Sequence, residues 1–297
     1  MLHRMRLFFL AAAALLSPLT PAPARAQPAG PASRPVLREP APPETARPDS
    51  FDDDNDDFRR ALLDPSRSDR WLVPTSLGGV LLVVQKGYID DIRLDSLASD
   101  LQEAVAKIPA LTGREPRVRK RFTVYVYNDG PPSAANIPGA QPGEKGLMLA
   151  FVKEGEDPLF HELTHLLAGR GGSTSLNEGV AEWVQDRLRP GRANAFVPAG
   201  ADPDALCKAA LAKWPSAFRS TIGAPGDWFK GPRRAIVFDY YYCSWSFVGS
   251  LLRRKDMKAL WRVIDAGGAP KAYRSAYDAT YDRLFADWVD GLNRPKP

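Results

Sequence analysis

Residues 160–183 read FHELTHLLAGRGGSTSLNEGVAEW. His161 and His165 stand four apart, with Glu162 beside the first. Leu159, Leu163, Leu166 and Leu167 recur at helical spacing, Asp157 suits a cap, Pro158 the first turn, and Gly169 a stop. On such a helix the two imidazoles lie one turn apart on one face, so both reach a single ion. Glu162 projects close to them, where it can activate a water on that ion. This is the H-E-x-x-H pattern, and the cofactor it predicts is one Zn2+.

The second half of the stretch predicts a second helix. Val180, Trp183, Val184 and Leu188 have helical spacing. A short glycine-rich loop, AGRGGSTS, joins the two, so they are expected to run side by side in opposite directions. Glu178 then lies level with His165, and Glu182, one turn on, level with His161. Glu178 is the expected third metal ligand. Glu182 is expected to accept the free ring N–H of His161 and so fix its tautomer.

The histidine census sharpens this reading. The chain has three histidines, and His3 lies in the N-terminal segment MLHRMRLFFLAAAALLSPLTPAPARA. Arg4 and Arg6, the apolar run Leu7 to Leu16 and the pattern Ala24-Arg25-Ala26 make residues 1–26 a secretory signal peptide. The run is short for a membrane span, so no membrane insertion is expected after cleavage, and the protein is expected to be periplasmic or secreted. The mature chain keeps only His161 and His165. Loss of the three arginines of residues 1–26 lowers the formal charge from +5 to +2, which argues against a nucleic-acid partner.

With these residues in view, HELTH followed by NEGVAE resembles the glutamate zincins, and most closely the compact M1-like "peptidase MA" families of secreted bacterial proteins. The resemblance is specific over residues 157–189 and looser from about residue 80 onward. It implies a zincin-like fold, peptide-bond hydrolysis with Glu162 as general base, a peptide or protein substrate, and Glu178 as third ligand. Only twelve residues separate His165 from Glu178, fewer than in M1 enzymes or thermolysin, so Glu182 stays open as the alternative ligand. The segment DYYYCSWSFVGSLLRRKDMKALWRVI is similar to the helix that follows the active site in these families. There a tyrosine hydroxyl stabilises the oxyanion, which points to Tyr241, with Tyr240 and Tyr242 as rivals. Gly146-Leu147-Met148 is followed by Leu149-Ala150, so the acid with which M1 aminopeptidases grip a free amine is absent. The alternative function is a non-catalytic zincin-fold binding or scaffold protein of the cell envelope.

The rest of the chain is expected to frame this centre. Residues 27–70 are read as a disordered linker, proline-rich over 27–48 and acidic at FDDDNDDFRR, where no EF-hand spacing is met. The folded domain is expected over 71–297. Val80 to Val84, residues 122–129 and residues 146–152 read as strands, and Leu97, Leu101, Val105 and Ile108 mark one face of a helix over 95–108. An extended peptide is expected to pair with the strand at 146–152. The basic run Arg117 to Phe122 reads as a solvated strand entrance. The fold class is therefore α+β, with a small N-terminal mixed sheet and a helical C-terminal part. Cys207 and Cys243 form either one disulfide or two buried thiols, since their separation in space is not written in the sequence.

Overall fold

All six strands and two helices come first along the described chain, and only helices follow. The computed structural model describes residues 37–38, 53–128, 130, 133–150, 152, 158–191, 197–224 and 236–294. Residues 1–26, read above as a signal peptide, Asp157, and residues 27–36 and 39–52, read above as linker, lie outside the described residues. The first elements are β1 (Leu37–Arg38), α1 (Asp53–Leu62), β2 (Ser68–Thr75), β3 (Gly78–Gln85) and α2 (Asp91–Thr112). Then come β4 (Phe122–Tyr127), β5 (Ala134–Pro138) and β6 (Lys145–Ala150). Only helices follow among the described residues. They are α3 (Leu159–Ala168), α4 (Thr174–Leu188), α5 (Pro203–Lys213), α6 (Pro215–Arg219), α7 (Val237–Leu252), α8 (Met257–Asp265), α9 (Pro270–Tyr277) and α10 (Tyr281–Asn293). The class is α+β, and no described helix is long and apolar enough to cross a membrane.

The sheet order is β1-β2-β3-β4-β6-β5. The core pairs β3–β4 and β4–β6 are parallel, and β2 and β5 flank them antiparallel. Alternation along the strands separates two faces. Val80, Leu82, Val84, Val124, Val126, Leu147 and Leu149 join the large core with α2 and α3. Leu81, Val83, Tyr125, Tyr127, Met148 and Ala150 form a second cluster on the other face. Leu97, Leu101, Val105 and Ile108 of α2 are buried as their spacing predicts.

The disordered linker expected over 27–70 does not hold at 37–38, where β1 pairs with β2, or over 53–70. The second sheet face needs a cover, and α1 supplies Phe58 and Leu62, one turn apart. Phe58 meets Tyr127 edge to face at 4.8 Å. Asp56 pairs with Arg59 and Arg60 at 2.6 and 2.5 Å, so the acidic stretch also supports its own helix. The folded part thus includes α1 and the whole of β2.

The strand expected at 146–152 ends at Ala150 and is not at the edge of the sheet. β6 is hydrogen-bonded to β4 on one side and to β5 on the other. An incoming peptide cannot pair with it, because its backbone groups are already used. β5 is the last described strand on that side.

Cys207 and Cys243 are disulfide-bonded, which joins α5 to α7. Both are buried. Closing a loop of this length stabilises a domain by about 3–4 kcal/mol through the unfolded state. The Cys207→Ala/Cys243→Ala chain is expected to lose that amount in urea unfolding. An unchanged midpoint and slope would show that the bond carries no stability.

Candidate metal centre

Helix α3 is buried along its whole length. It lies against α2, α4, β5 and β6. Its first turn has amide groups with no partner inside the helix. One of these, His161 N, donates to Gln185 Oε1 of α4 at 3.2 Å. At its other end Leu167 O accepts from Arg117 N at 2.8 Å, which ties the helix to the segment leading into β4. The basic run at 117–122 is thus also a clamp on α3.

The short loop after α3 is held by Asn177. Its Oδ1 accepts from Gly171 N at 3.0 Å, and its Nδ2 donates to Gly171 O at 3.0 Å and Ser173 O at 2.7 Å. A Cβ at Gly171 would stand 2.7 Å from Ile264 O, so only glycine lets the loop lie this close to α8. These contacts fix where α4 begins, and with it the register of Glu178.

Glu178 Oε2 lies 3.1 Å from His161 Nε2 and 3.2 Å from His165 Nε2, and the two Nε2 atoms are 3.1 Å apart. Three buried donor atoms therefore converge on one point, and His161, His165 and Glu178 could hold a metal ion. Glu182 Oε1 lies 3.0 Å from the far ring nitrogen of His161, Nδ1. The approach is oblique rather than a straight hydrogen bond. It still favours a proton on Nδ1, which turns the Nε2 lone pair toward the point of convergence. Of the two glutamates it is Glu178 that stands between both Nε2 atoms, while Glu182 stands behind His161.

Electrostatics follow burial. Burial acts to raise the Glu178 carboxyl, but the two histidines more than reverse this and hold it well below its ordinary value. His165 is pushed down to about 4, chiefly by burial, against the pull of Glu178. For His161 burial acts downward too, yet Glu182 and Glu178 together raise it well above the usual imidazole value. For Glu162 the downward pull of His161 and Arg170 is too weak to reverse burial. Burial first, then the charges of Glu178 and Glu182, push its carboxyl up to about 7. Its Oε2 is buried with no hydrogen-bond partner. A cation at the triangle opposes that upward shift.

Tyr241 reaches the centre from α7. Its ring lies 6.0 Å from that of His161, and it is buried. Its hydroxyl is held well above the ordinary phenol value, chiefly by burial and then by Glu178, Glu162 and Glu182, so it stays a neutral donor. Tyr242 packs instead with Val197 and Trp245 in a separate cluster, and Tyr240, like Tyr241, belongs to the main core. The close approach of α7 depends on Gly179, the residue after Glu178. A Cβ there would stand 2.4 Å from Ser244 O.

Sequence reasoning brought together His161, Glu162, His165, Glu178, Glu182 and Tyr241, and the structure gathers all six. It did not find Gln185 or Arg117, whose bonds join residues far apart in the chain, or Asn177, whose bonds close the loop before it. Arg170 was also passed over, although its guanidinium lies 3.8 Å from Glu178 Oε1. Comparison with known proteins adds no identity to this geometry: no protein-family model matches the chain, and no curated protein matches it.

Proposed function

We propose that the chain is an exported zinc metallopeptidase of the glutamate-zincin type, acting on peptide or protein substrates. The observation that carries this reading is the triangle of His161, His165 and Glu178 with Glu162 buried beside it, one carboxylate oxygen unpartnered. Two imidazoles and one carboxylate are a donor set that suits zinc and leaves a fourth position open. Tetrahedral zinc ligands at about 2.0–2.1 Å stand roughly 3.3 Å apart, close to the spacing of the three donors. A structural zinc site has no use for a buried free carboxylate at its side, which favours catalysis over a scaffold role.

Zinc, when bound, supplies a Lewis acid that polarises a carbonyl and makes water acidic. Glu162 takes a proton from the attacking water on its unpartnered oxygen. As the carbon–nitrogen bond breaks, it passes that proton to the departing amine, so the carboxylate is restored. The hydroxyl of Tyr241 donates to the carbonyl oxygen as it gains charge. Glu182 holds His161 in one tautomer throughout. An extended substrate adds to β5, the terminal described strand, rather than to β6.

The test is cleavage of a mixed peptide library by the zinc-loaded chain. Cleavage that stops with a chelator and returns with zinc is expected. Cleavage indifferent to the chelator, or none at all, would overturn the reading.

A further inference from the structure

We infer that Arg170 is the cation with which this centre recognises its substrate, and that it takes a carboxylate. That carboxylate is either the C-terminus of a peptide or an acidic side chain next to the bond that is cleaved. The inference rests on the peptidase reading for the nature of the ligand, and on Arg170's own position for the carboxylate.

Arg170 sits in the loop between α3 and α4, and the backbone on both sides of it is fixed. Gly169 has φ of 79°, and the Arg117 side chain covers it so closely that a Cβ would overlap the guanidinium. Gly171 is held by Asn177 through both its N–H and its C=O. Between these anchors the Arg170 side chain is 48% exposed, while Glu178 beside it is 4% exposed. The side chain is thus half open to solvent while its guanidinium stays within reach of Glu178.

The partner on the inner side is Glu178 Oε1, at 3.8 Å, a loose pair. The oxygen that meets both histidines is Oε2. Arg170 is therefore set back from the triangle by the width of one carboxylate. Its charge acts on Glu162, His165 and Tyr241 as well. A guanidinium has five N–H donors in a planar fork, and one loose pair leaves donors for a second carboxylate. Glu162, Glu178 and Glu182 would otherwise repel an anionic substrate. Arg170, held on an anchored loop, admits one at little cost in ordering.

The test measures binding, so that it does not depend on turnover. The zinc-loaded Glu162→Gln chain is titrated calorimetrically with N-acetylated peptides of one sequence, as free acid and as C-terminal amide. A second pair carries an internal Glu or Gln. The same titrations are run on Glu162→Gln/Arg170→Gln and Glu162→Gln/Arg170→Lys. For one of the two pairs, the acid is expected to bind about tenfold or more tightly than its neutral twin, the scale of one charge-assisted hydrogen bond. The gap should close with Arg170→Gln, return in part with Arg170→Lys, and narrow with added salt. The pair that shows the gap identifies the carboxylate as terminal or side-chain.

No gap with Arg170 intact, or a gap that survives Arg170→Gln, would overturn the inference. So would failure to bind any of the peptides. A fall in zinc affinity with Arg170→Gln and an unchanged gap would show that Arg170 serves only Glu178, which also overturns it. A gap that depends on Arg170 in a wild-type chain that cleaves nothing would instead sink the peptidase reading and leave carboxylate recognition standing.

Discussion

The Glu162→Gln chain is expected to bind zinc with the affinity of wild type and to cleave peptides at least ~100-fold more slowly, the lower range for loss of a general base. The amide has the shape of the carboxylate but cannot accept and return a proton at the same oxygen. Glu162 is not among the three converging donors, so the ion keeps its ligands. Folding should not suffer, because burial and the charges of Glu178 and Glu182 hold the carboxyl up at about 7. Removing a charge that the surroundings disfavour costs no stability and relieves some repulsion. Cleavage at the wild-type rate by a zinc-loaded Glu162→Gln chain would mean that the proton moves through another group.

The second large effect separates the two glutamates of α4. Glu178→Gln is expected to lower zinc affinity by more than ~100-fold, beyond the range seen for partners behind a ligand. The ion would lose one of three donors and the only negative charge among them. Glu182→Gln is expected to cost ~10–100-fold, because His161 keeps its position and loses only the group that fixes its tautomer. Competition with a chelating dye reads both constants. The reverse order, with Glu182 the larger loss, would make Glu182 the ligand and require a different register of α4 on α3.

That register shows how much of the centre can be read from the chain. Four-residue spacing puts His161 with His165 and Glu178 with Glu182 on single faces, because both segments are helices. A short loop then leaves little choice but to lay the helices side by side. The means of holding the loop was not legible. Asn177 looks like one polar residue among several, and its three bonds to Gly171 and Ser173 exist only once the loop has turned. Gln185 is likewise an ordinary helix residue until His161 N is brought beside it.

The fold was legible where periodicity was strong. The α2 stripe and the runs at 80–84 and 122–127 are buried as their patterns predict. Helix α1 was hidden by its aspartates, since two apolar positions, Phe58 and Leu62, are enough to cover a small patch. β2 contains Arg70 and Pro74, and β5 reads AANIP, so neither has the composition of a strand. Missing β5 is what made β6 look like an edge. The pairing of Cys207 with Cys243 depends on α5 lying against α7, a contact that no local pattern encodes.

The central claim is that one zinc ion is held by His161, His165 and Glu178. Native mass spectrometry of the purified mature chain, wild type beside His165→Ala, tests it most directly. One zinc per wild-type chain and none on a folded His165→Ala chain is the predicted result. A wild-type chain that takes up no zinc, or a His165→Ala chain that keeps it, would contradict the account.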